Sequence, residues 1–185
     1  MIKFVYDNTL FDILYSDMQL QFPESELKSV IQFKKLIKNP NYQIINCYSD
    51  EKNIGYLFCY IDDYILVDYF AVFKQFQSMG FGTKVLNALF ERYSYLKGCL
   101  FEVEKIDNSN IKTKKRQEFY KRLGCVDSGI DYIYPSPEPF SMDLLYYPLQ
   151  FKAPQKESII HFINAYFKVI HSDIPSIENI LQEIH

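Results

Sequence analysis

The sequence predicts an α/β protein: a mixed, mostly antiparallel sheet with helices on both faces, followed by a helical tail. Three observations lead to this class. Runs rich in β-branched and aromatic residues alternate with segments in which apolar residues have helical spacing. Three consecutive strands are joined by tight turns, which favours antiparallel pairing. A later strand–helix–strand unit favours a parallel, right-handed crossover.

Each element follows from its local pattern. The predicted strands are bounded by turn residues and cover 2–6, 42–48, 54–61, 64–73, 99–106, 125–134 and 141–149. The predicted helices carry an apolar stripe and cover about 8–20, a segment from Pro23 to Asn39-Pro40-Asn41, 80–97 and 113–123. A polar loop is predicted over 107–112. Residues 135–139 form a second loop, because a proline cluster cannot pair within a sheet.

The chain changes character after Pro154. Two helical stripes follow, one through Ile159, Ile160, Ile163, Phe167 and Ile170, the other through Ile177, Ile180, Leu181 and Ile184. We therefore divide the chain into a main domain, 1–150, and a two-helix extension, 151–185, packed on or beside it. The alternatives for the extension are a homodimer contact or a roof over an acceptor cleft.

Composition narrows the classes of function. The net charge of −3 argues against nucleic acid as the main partner. The sequence begins without a long apolar run, so we expect a cytoplasmic protein with no signal peptide and no membrane span. The cysteines lie among apolar neighbours, which predicts buried, reduced thiols: Cys47, Cys59, Cys99 and Cys125. The three histidines lack metal-ligand spacing, so no metal is expected.

The most informative segment is Gln77-Ser78-Met79-Gly80-Phe81-Gly82, between the strand 64–73 and a helix. A glycine-bearing turn that opens a helix exposes backbone N–H groups at the positive end of the helix dipole. Glycine also lets the backbone approach a phosphate closely. The segment therefore predicts a site for a pyrophosphate.

This motif also resembles a known family. The order of features is similar to the acetyl-CoA signature of the GNAT acyltransferase superfamily: Ala-Val at the strand end, then Gln-x-x-Gly-x-Gly, then an amphipathic helix. The segment 116–125 resembles the Phe-Tyr-x-x-x-Gly-Phe helix end of the same family, with Cys125 in place of the usual aromatic or aliphatic residue. The resemblance covers roughly residues 40–149 and implies a GNAT-like fold for the main domain.

The resemblance implies an N-acetyltransferase that uses acetyl-CoA as co-substrate. A primary amine, on a small molecule or a peptide, would attack the bound thioester directly in a ternary complex. The alternative is a non-catalytic acyl-CoA-binding or protein-interaction module on the same fold. An inward-pointing tyrosine and acid would favour that alternative.

Binding residues follow from the family pattern. The backbone of the turn would hold the diphosphate, through Ser78, Met79, Gly80, Phe81, Gly82 and Thr83, with Gln77 closing the loop. Ala71, Val72 and Phe73 would offer strand-edge backbone to the pantetheine amides. Asn108 would contact the pantetheine arm, or belong simply to a polar loop. Lys114-Lys115-Arg116 would meet an anion such as the 3′-phosphate, or form a solvated basic turn.

Catalytic candidates are fewer. The resemblance makes Tyr120 the general acid that protonates the leaving thiolate, and core packing is the alternative. Three acids are compared as general base. Asp68 interrupts an otherwise apolar strand, and Glu102 and Glu104 share one face of the next strand. Asp68 and Glu102 rank equally. In the glutamate-based members of the family the acid falls two positions before Asp68, where this chain has Leu66. The alternative for both acids is a structural ion pair.

Overall fold

The computed structural model describes residues 1–136, 138–175 and 177–185. Within them the strands are β1 (Ile2–Tyr6), β2 (Tyr42–Ser49), β3 (Lys52–Ile61), β4 (Ile65–Val72), β5 (Gly98–Glu104), β6 (Val126–Tyr134) and β7 (Phe140–Pro148). The sheet order is β1-β2-β3-β4-β5-β7-β6. Antiparallel pairing joins β1 to β2, β2 to β3, β5 to β7 and β6 to β7. The predicted mixed α/β class with a mostly antiparallel sheet is therefore confirmed.

The helices of the described residues are α1 (Phe11–Gln21), α2 (Val30–Leu36), α3 (Phe81–Arg92), α4 (Ile111–Leu123), α5 (Lys156–Ile170) and α6 (Ile177–Glu183). α1 begins later than the predicted residue 8. The Asp7 carboxylate accepts hydrogen bonds from the backbone N–H and the hydroxyl of Thr9, which holds a turn there.

Two other helix starts also differ from the prediction. The segment after Pro23 forms a short 3-10 helix at Glu24–Glu26, and α2 begins only at Val30. Ser29 and Gln32 form a reciprocal capping box, which satisfies the first free amides of α2. α4 begins two residues early, because the Asn110 side chain caps it. Of the predicted proline loop, residue 137 lies outside the described residues.

The chain divides into two compact units. The first comprises residues 1–62 and 67–92. Phe33 lies at the centre of its core, fully buried, with ring centroids 5.5 Å from Phe11, 5.3 Å from Phe58 and 5.6 Å from Tyr69. These spacings are typical of edge-to-face aromatic pairs. The high aromatic content of this half is therefore accounted for by core packing.

The second unit comprises residues 63–66 and 93–185. Both C-terminal helices contact β6. Phe167 of α5 packs against Tyr132 of β6, with ring centroids 5.8 Å apart. The backbone N–H of Asp131 donates to the carbonyl of His185 at 2.9 Å. The tail is thus attached to this unit by buried apolar contacts and by a backbone hydrogen bond.

The expectation of buried, reduced cysteines has a structural counterpart. All four cysteines are free thiols and all are buried, and burial raises the pKa of Cys125 to about 12. No helix in the described residues is long and apolar enough to cross a membrane. Across 1–136, 138–175 and 177–185, no group of three His, Cys, Asp or Glu side chains is placed to hold a metal ion.

Candidate functional site

The turn between β4 and α3 has an unusual backbone. After Val72 the chain makes a 3-10 helix at Lys74–Phe76 and a turn over 77–80, and then enters α3. Ser78 has φ of 61° and Gly80 has φ of 78°, both left-handed. A Cβ added at Gly80 would meet nothing within 4 Å. Glycine at this position therefore serves the backbone conformation, and the space above it stays open.

The backbone amides of this turn are available to a ligand. Lys84 is the first residue of α3 whose N–H donates within the helix, to the Gly80 carbonyl at 3.2 Å. The N–H groups of residues 78–83 donate to no carbonyl or side chain among the described residues. They lie at the positive end of a 12-residue helix. Free amides and the helix dipole together make an anion site.

The Gln77 side chain closes the turn. Its Nε2 donates to the Val72 carbonyl at 2.9 Å and to Oε1 of Gln21 at 3.0 Å. Phe76 and Phe81 pack edge to face across the turn, with centroids 5.9 Å apart. The turn is therefore held by two hydrogen bonds of Gln77 and by one aromatic contact. The role expected of Gln77 in closing the coenzyme loop stays a prediction.

The predicted strand-edge residues differ in backbone direction. The Phe73 N–H donates to the Ile54 carbonyl of β3 at 3.0 Å, so the role proposed for Phe73 would require this bond to open. A Cβ added at Gly55 would lie 2.2 Å from the Ala71 carbonyl oxygen, which therefore also faces β3. Since the N–H and C=O of a trans peptide point in opposite directions, the backbone groups of Val72 turn away from β3.

Asp68 is a buried member of an ion pair. Its side chain is 1% exposed, and its Oδ1 lies 2.7 Å from Nζ of Lys28, which is 4% exposed. The hydroxyl of Tyr42 donates to the other carboxylate oxygen at 2.6 Å. Burial and the neighbouring Asp68 charge hold the pKa of Tyr42 well above its usual range. The structure thus gives Asp68 the ion-paired environment that was the alternative to a catalytic role.

The segment that carries Lys28 is bound to β4 at further points. The backbone N–H of Lys28 donates to the Tyr69 hydroxyl at 3.1 Å, and that hydroxyl donates to the Glu26 carbonyl at 2.6 Å. Nζ of Lys28 also lies 5.0 Å from the centroid of the Tyr69 ring. The connection between α1 and α2 is therefore held firmly against β4.

Tyr120 belongs to the second unit and is 9% exposed. Its ring lies against Phe101 of β5, with centroids 4.6 Å apart. Burial raises the pKa of Tyr120. A phenol in this state keeps its proton throughout the physiological range, and burial makes it a weaker proton donor than an ordinary tyrosine.

Glu102 and Glu104 share a face of β5 and have different partners. Glu102 is half-buried and accepts a hydrogen bond from the Tyr132 hydroxyl. Glu104 pairs with Arg116, so this arginine of the basic turn is already engaged by a carboxylate. Gln117, which is 2% exposed, donates to the Glu104 carbonyl at 3.1 Å. These contacts attach α4, and with it Tyr120, to β5.

Asn108 lies in an exposed turn after β5. Asp107 stabilises that turn, because its carboxylate accepts from the backbone N–H and the hydroxyl of Ser109. This is the geometry of an ordinary polar turn. The role expected for Asn108 toward pantetheine stays a prediction.

Lys28, Tyr42 and Gln21 were not among the residues predicted from the sequence. The sequence contains one indication of them: a carboxylate in an apolar strand, Asp68, is costly to bury and needs a partner, but the pattern does not identify that partner. Lys28 precedes Asp68 by 40 residues, and Gln21 precedes Gln77 by 56. Contacts at such separations follow from the packing of α1 and α2, which a local pattern does not contain.

Comparison with known proteins agrees with this geometry. The sequence profile of the Acetyltransferase (GNAT) family matches residues 8–125. YjbC of Bacillus subtilis (strain 168), provisionally named an acetyltransferase, is 28% identical over 162 residues, which cover 85% of this chain and 81% of YjbC.

Solved structures share the fold at low sequence identity. A protein from Bacteroides thetaiotaomicron, provisionally named a GNAT-family acetyltransferase, superposes with a TM-score of 0.75 at 20% identity, over 91% of this chain and 97% of that one. The spermidine N-acetyltransferase of Vibrio cholerae, solved with CoA and spermine, has a TM-score of 0.59 at 14% identity, over 80% and 95%. With its profile match, fold and free loop amides, this chain belongs to the acetyltransferase (GNAT) family.

Proposed function

We propose that this protein transfers an acetyl group from acetyl-CoA to a primary amine by direct attack in a ternary complex. One observation carries the proposal: the N–H groups of residues 78–83 have no acceptor among the described residues and lie at the start of α3. In a chain of the GNAT family, this is the chemistry that binds the diphosphate of the coenzyme. The CoA-bound relative from Vibrio cholerae supports the same co-substrate.

The roles of the binding residues follow from their backbone directions. The amides of the loop, from Ser78 to Thr83, would hold the diphosphate oxygens, and Gln77 would keep the loop closed. The backbone groups of Val72 turn away from β3. Its carbonyl already accepts from Gln77 and Gln21, so the Val72 N–H is the group that would donate to a pantetheine carbonyl. The residues present thus fit an acyl-CoA co-substrate.

The chemical step needs an acid and a base. The amine nitrogen forms the new C–N bond, the C–S bond breaks, and Tyr120 donates its proton to the departing thiolate. Burial keeps this phenol protonated until that moment, and the phenolate left by the transfer would need a stabilising partner in the coenzyme-bound state. The proton lost by the amine passes to Glu102, directly or through a water. Asp68 would first have to release Lys28 or Tyr42.

The acceptor is a primary amine on a small molecule or a peptide. The net charge of −3 is compatible with a cationic acceptor. The relative named for spermidine supports an amine of this class.

A second candidate is a non-catalytic acyl-CoA-binding or protein-interaction module. The observation that favours it is burial: the Asp68 side chain is 1% exposed and Tyr120 is 9% exposed. Such a module would bind the coenzyme through the same loop without releasing thiol.

The test is coenzyme binding by calorimetry beside thiol release from acetyl-CoA with a panel of amines. Gly82→Asp brings a carboxylate to the diphosphate site and is expected to abolish tight binding. Asn87→Asp adds the same charge on an exposed position of α3 and serves as the matched control. Unchanged affinity in Gly82→Asp would remove the loop from the mechanism. Binding without thiol release from any amine would favour the module.

A further inference from the structure

A chain of side-chain hydrogen bonds leads from the core of the first unit to the β4–α3 turn. The hydroxyl of Tyr56, a fully buried residue, donates to Oδ2 of Asp17 at 2.9 Å. Nε2 of Gln21, one turn further along α1, donates to the same oxygen at 2.6 Å. Oε1 of Gln21 then accepts from Gln77 at 3.0 Å. We name Tyr56, Asp17, Gln21 and Gln77 the polar relay.

The direction of every bond in the relay is set at its buried end. Burial, the Asp17 charge and the hydrogen bond to Asp17 raise the pKa of Tyr56, so its hydroxyl stays a donor. An ionised carboxylate only accepts, so Asp17 holds the NH₂ group of Gln21 toward itself. The carbonyl end of Gln21 is thereby left for Gln77. That contact in turn orients the NH₂ group of Gln77.

Both carboxamides converge on one backbone atom. The Val72 carbonyl accepts from Gln77 at 2.9 Å and from Gln21 at 3.3 Å. Val72 is the last residue of β4 before the turn whose amides stay available to a ligand. The relay therefore acts on the exact point where the strand becomes the anion-binding loop.

From this geometry we infer that Gln21 and Asp17 are positioning residues for the acyl-CoA loop. They do not contact the coenzyme; they hold Gln77 and the Val72 carbonyl in the orientation in which the loop amides converge. The inference rests on the proposed function. It adds that α1 contributes to coenzyme affinity through two polar side chains, in addition to its packing.

The test combines coenzyme affinity with hydrogen exchange of the free protein. Gln21→Ala is expected to raise the Kd for CoA about three- to tenfold, the range of one or two partly exposed hydrogen bonds. Most of the loss in kcat/KM for acetyl-CoA should appear in KM. The backbone amides of residues 73–80 should exchange faster without ligand. Gln19→Ala, on an exposed position of the same helix, is the matched control and should change neither quantity.

Two further variants separate positioning from packing. Gln21→Glu keeps the size but removes both donors and places a second carboxylate beside Asp17, so it should bind CoA more weakly than Gln21→Ala and recover as the pH falls. In a Gln77→Ala background, Gln21→Ala should raise the Kd for CoA little further, because the hydrogen bond between Gln21 and Gln77 is already absent.

The outcomes distinguish this inference from the proposed function. If wild type binds CoA but Gln21→Ala keeps wild-type affinity and exchange, the relay is overturned and the proposed function stands. An equal loss in Gln19→Ala also overturns it, because the effect then belongs to the helix as a whole. If wild type binds no CoA, the proposed function fails, and unchanged exchange in Gln21→Ala would refute the relay as well.

Discussion

Removing the Lys28 ammonium while keeping the length of the side chain should destabilise the protein severely. In Lys28→Met, the Asp68 carboxyl group, at 1% side-chain exposure, loses the ammonium group 2.7 Å away. Breaking a buried pair in this way costs about 3–5 kcal/mol. That is a large part of the ~5–15 kcal/mol that stabilises a typical domain. With a urea slope of about 2 kcal/mol/M, the midpoint should fall by roughly 2 M.

The assay is equilibrium urea unfolding of wild type and a matched pair of variants. Lys97→Met removes the same residue type from a pair with Asp63, where the side chains are 32% and 63% exposed. Exposed pairs contribute at most about 1 kcal/mol, so this control should shift the midpoint little. Equal losses in Lys28→Met and Lys97→Met would refute the argument, because burial would then not decide the cost.

A double variant extends the same experiment to the chemistry. Lys28→Met with Asp68→Asn leaves no buried charge at this position, and the neutral amide still accepts from Tyr42. It should recover much of the stability lost in Lys28→Met. If this refolded variant also keeps wild-type turnover, Asp68 is not the general base. Loss of turnover with restored stability would return Asp68 to the mechanism.

Three further outcomes are expected. Tyr120→Phe should lower turnover about 100-fold in steady-state assays. The control Tyr95→Phe, at a position 63% exposed, should leave turnover unchanged. Equal rates in the two variants would exclude Tyr120 as the acid. Gly55→Ala should destabilise by about 1–3 kcal/mol in urea unfolding, because its Cβ would lie 2.2 Å from the Ala71 carbonyl oxygen; a neutral result would show that β3 and β4 adjust. Burial raises the pKa of Cys125 from 9.0 to about 12. Between these values the thiol is protonated in the folded protein and ionised in the unfolded chain. The contribution of Cys125 to the free energy of unfolding is therefore complete below pH 9 and falls by about 1.4 kcal/mol per pH unit toward pH 12. Under reducing conditions Cys125→Ala should flatten the fall of Tm over that range, and an identical slope would contradict the assignment.

Local patterns predicted the elements well and their boundaries less well. The strand, turn and helix around Gln77 are contiguous in sequence, so periodicity and the two glycines were enough to predict the glycine-bearing turn. The start of α2 was predicted at Pro23 although α2 begins at Val30. Proline and acidic residues suit any first turn, and here they opened a single 3-10 turn before the capping box of Ser29.

Part of the candidate site could be predicted from the sequence and part could not. Ser78, Gly80 and the free amides follow from a short stretch of chain. The environment of Asp68 does not, since the sequence shows only that a carboxylate in an apolar strand needs a partner. The backbone direction of Val72 and Phe73 is likewise a matter of register, because a shift of one residue reverses which peptide groups face β3.

The sequence by itself determined the fold class, the glycine-bearing turn before α3 and the family, because each is encoded in residues that are neighbours along the chain. Only the tertiary structure decided which amine neutralises Asp68, that Tyr120 lies against Phe101, and that α1 supports the loop through Gln21. Those contacts join positions up to 56 residues apart, and packing selects them by the cost of leaving a buried polar group without a partner.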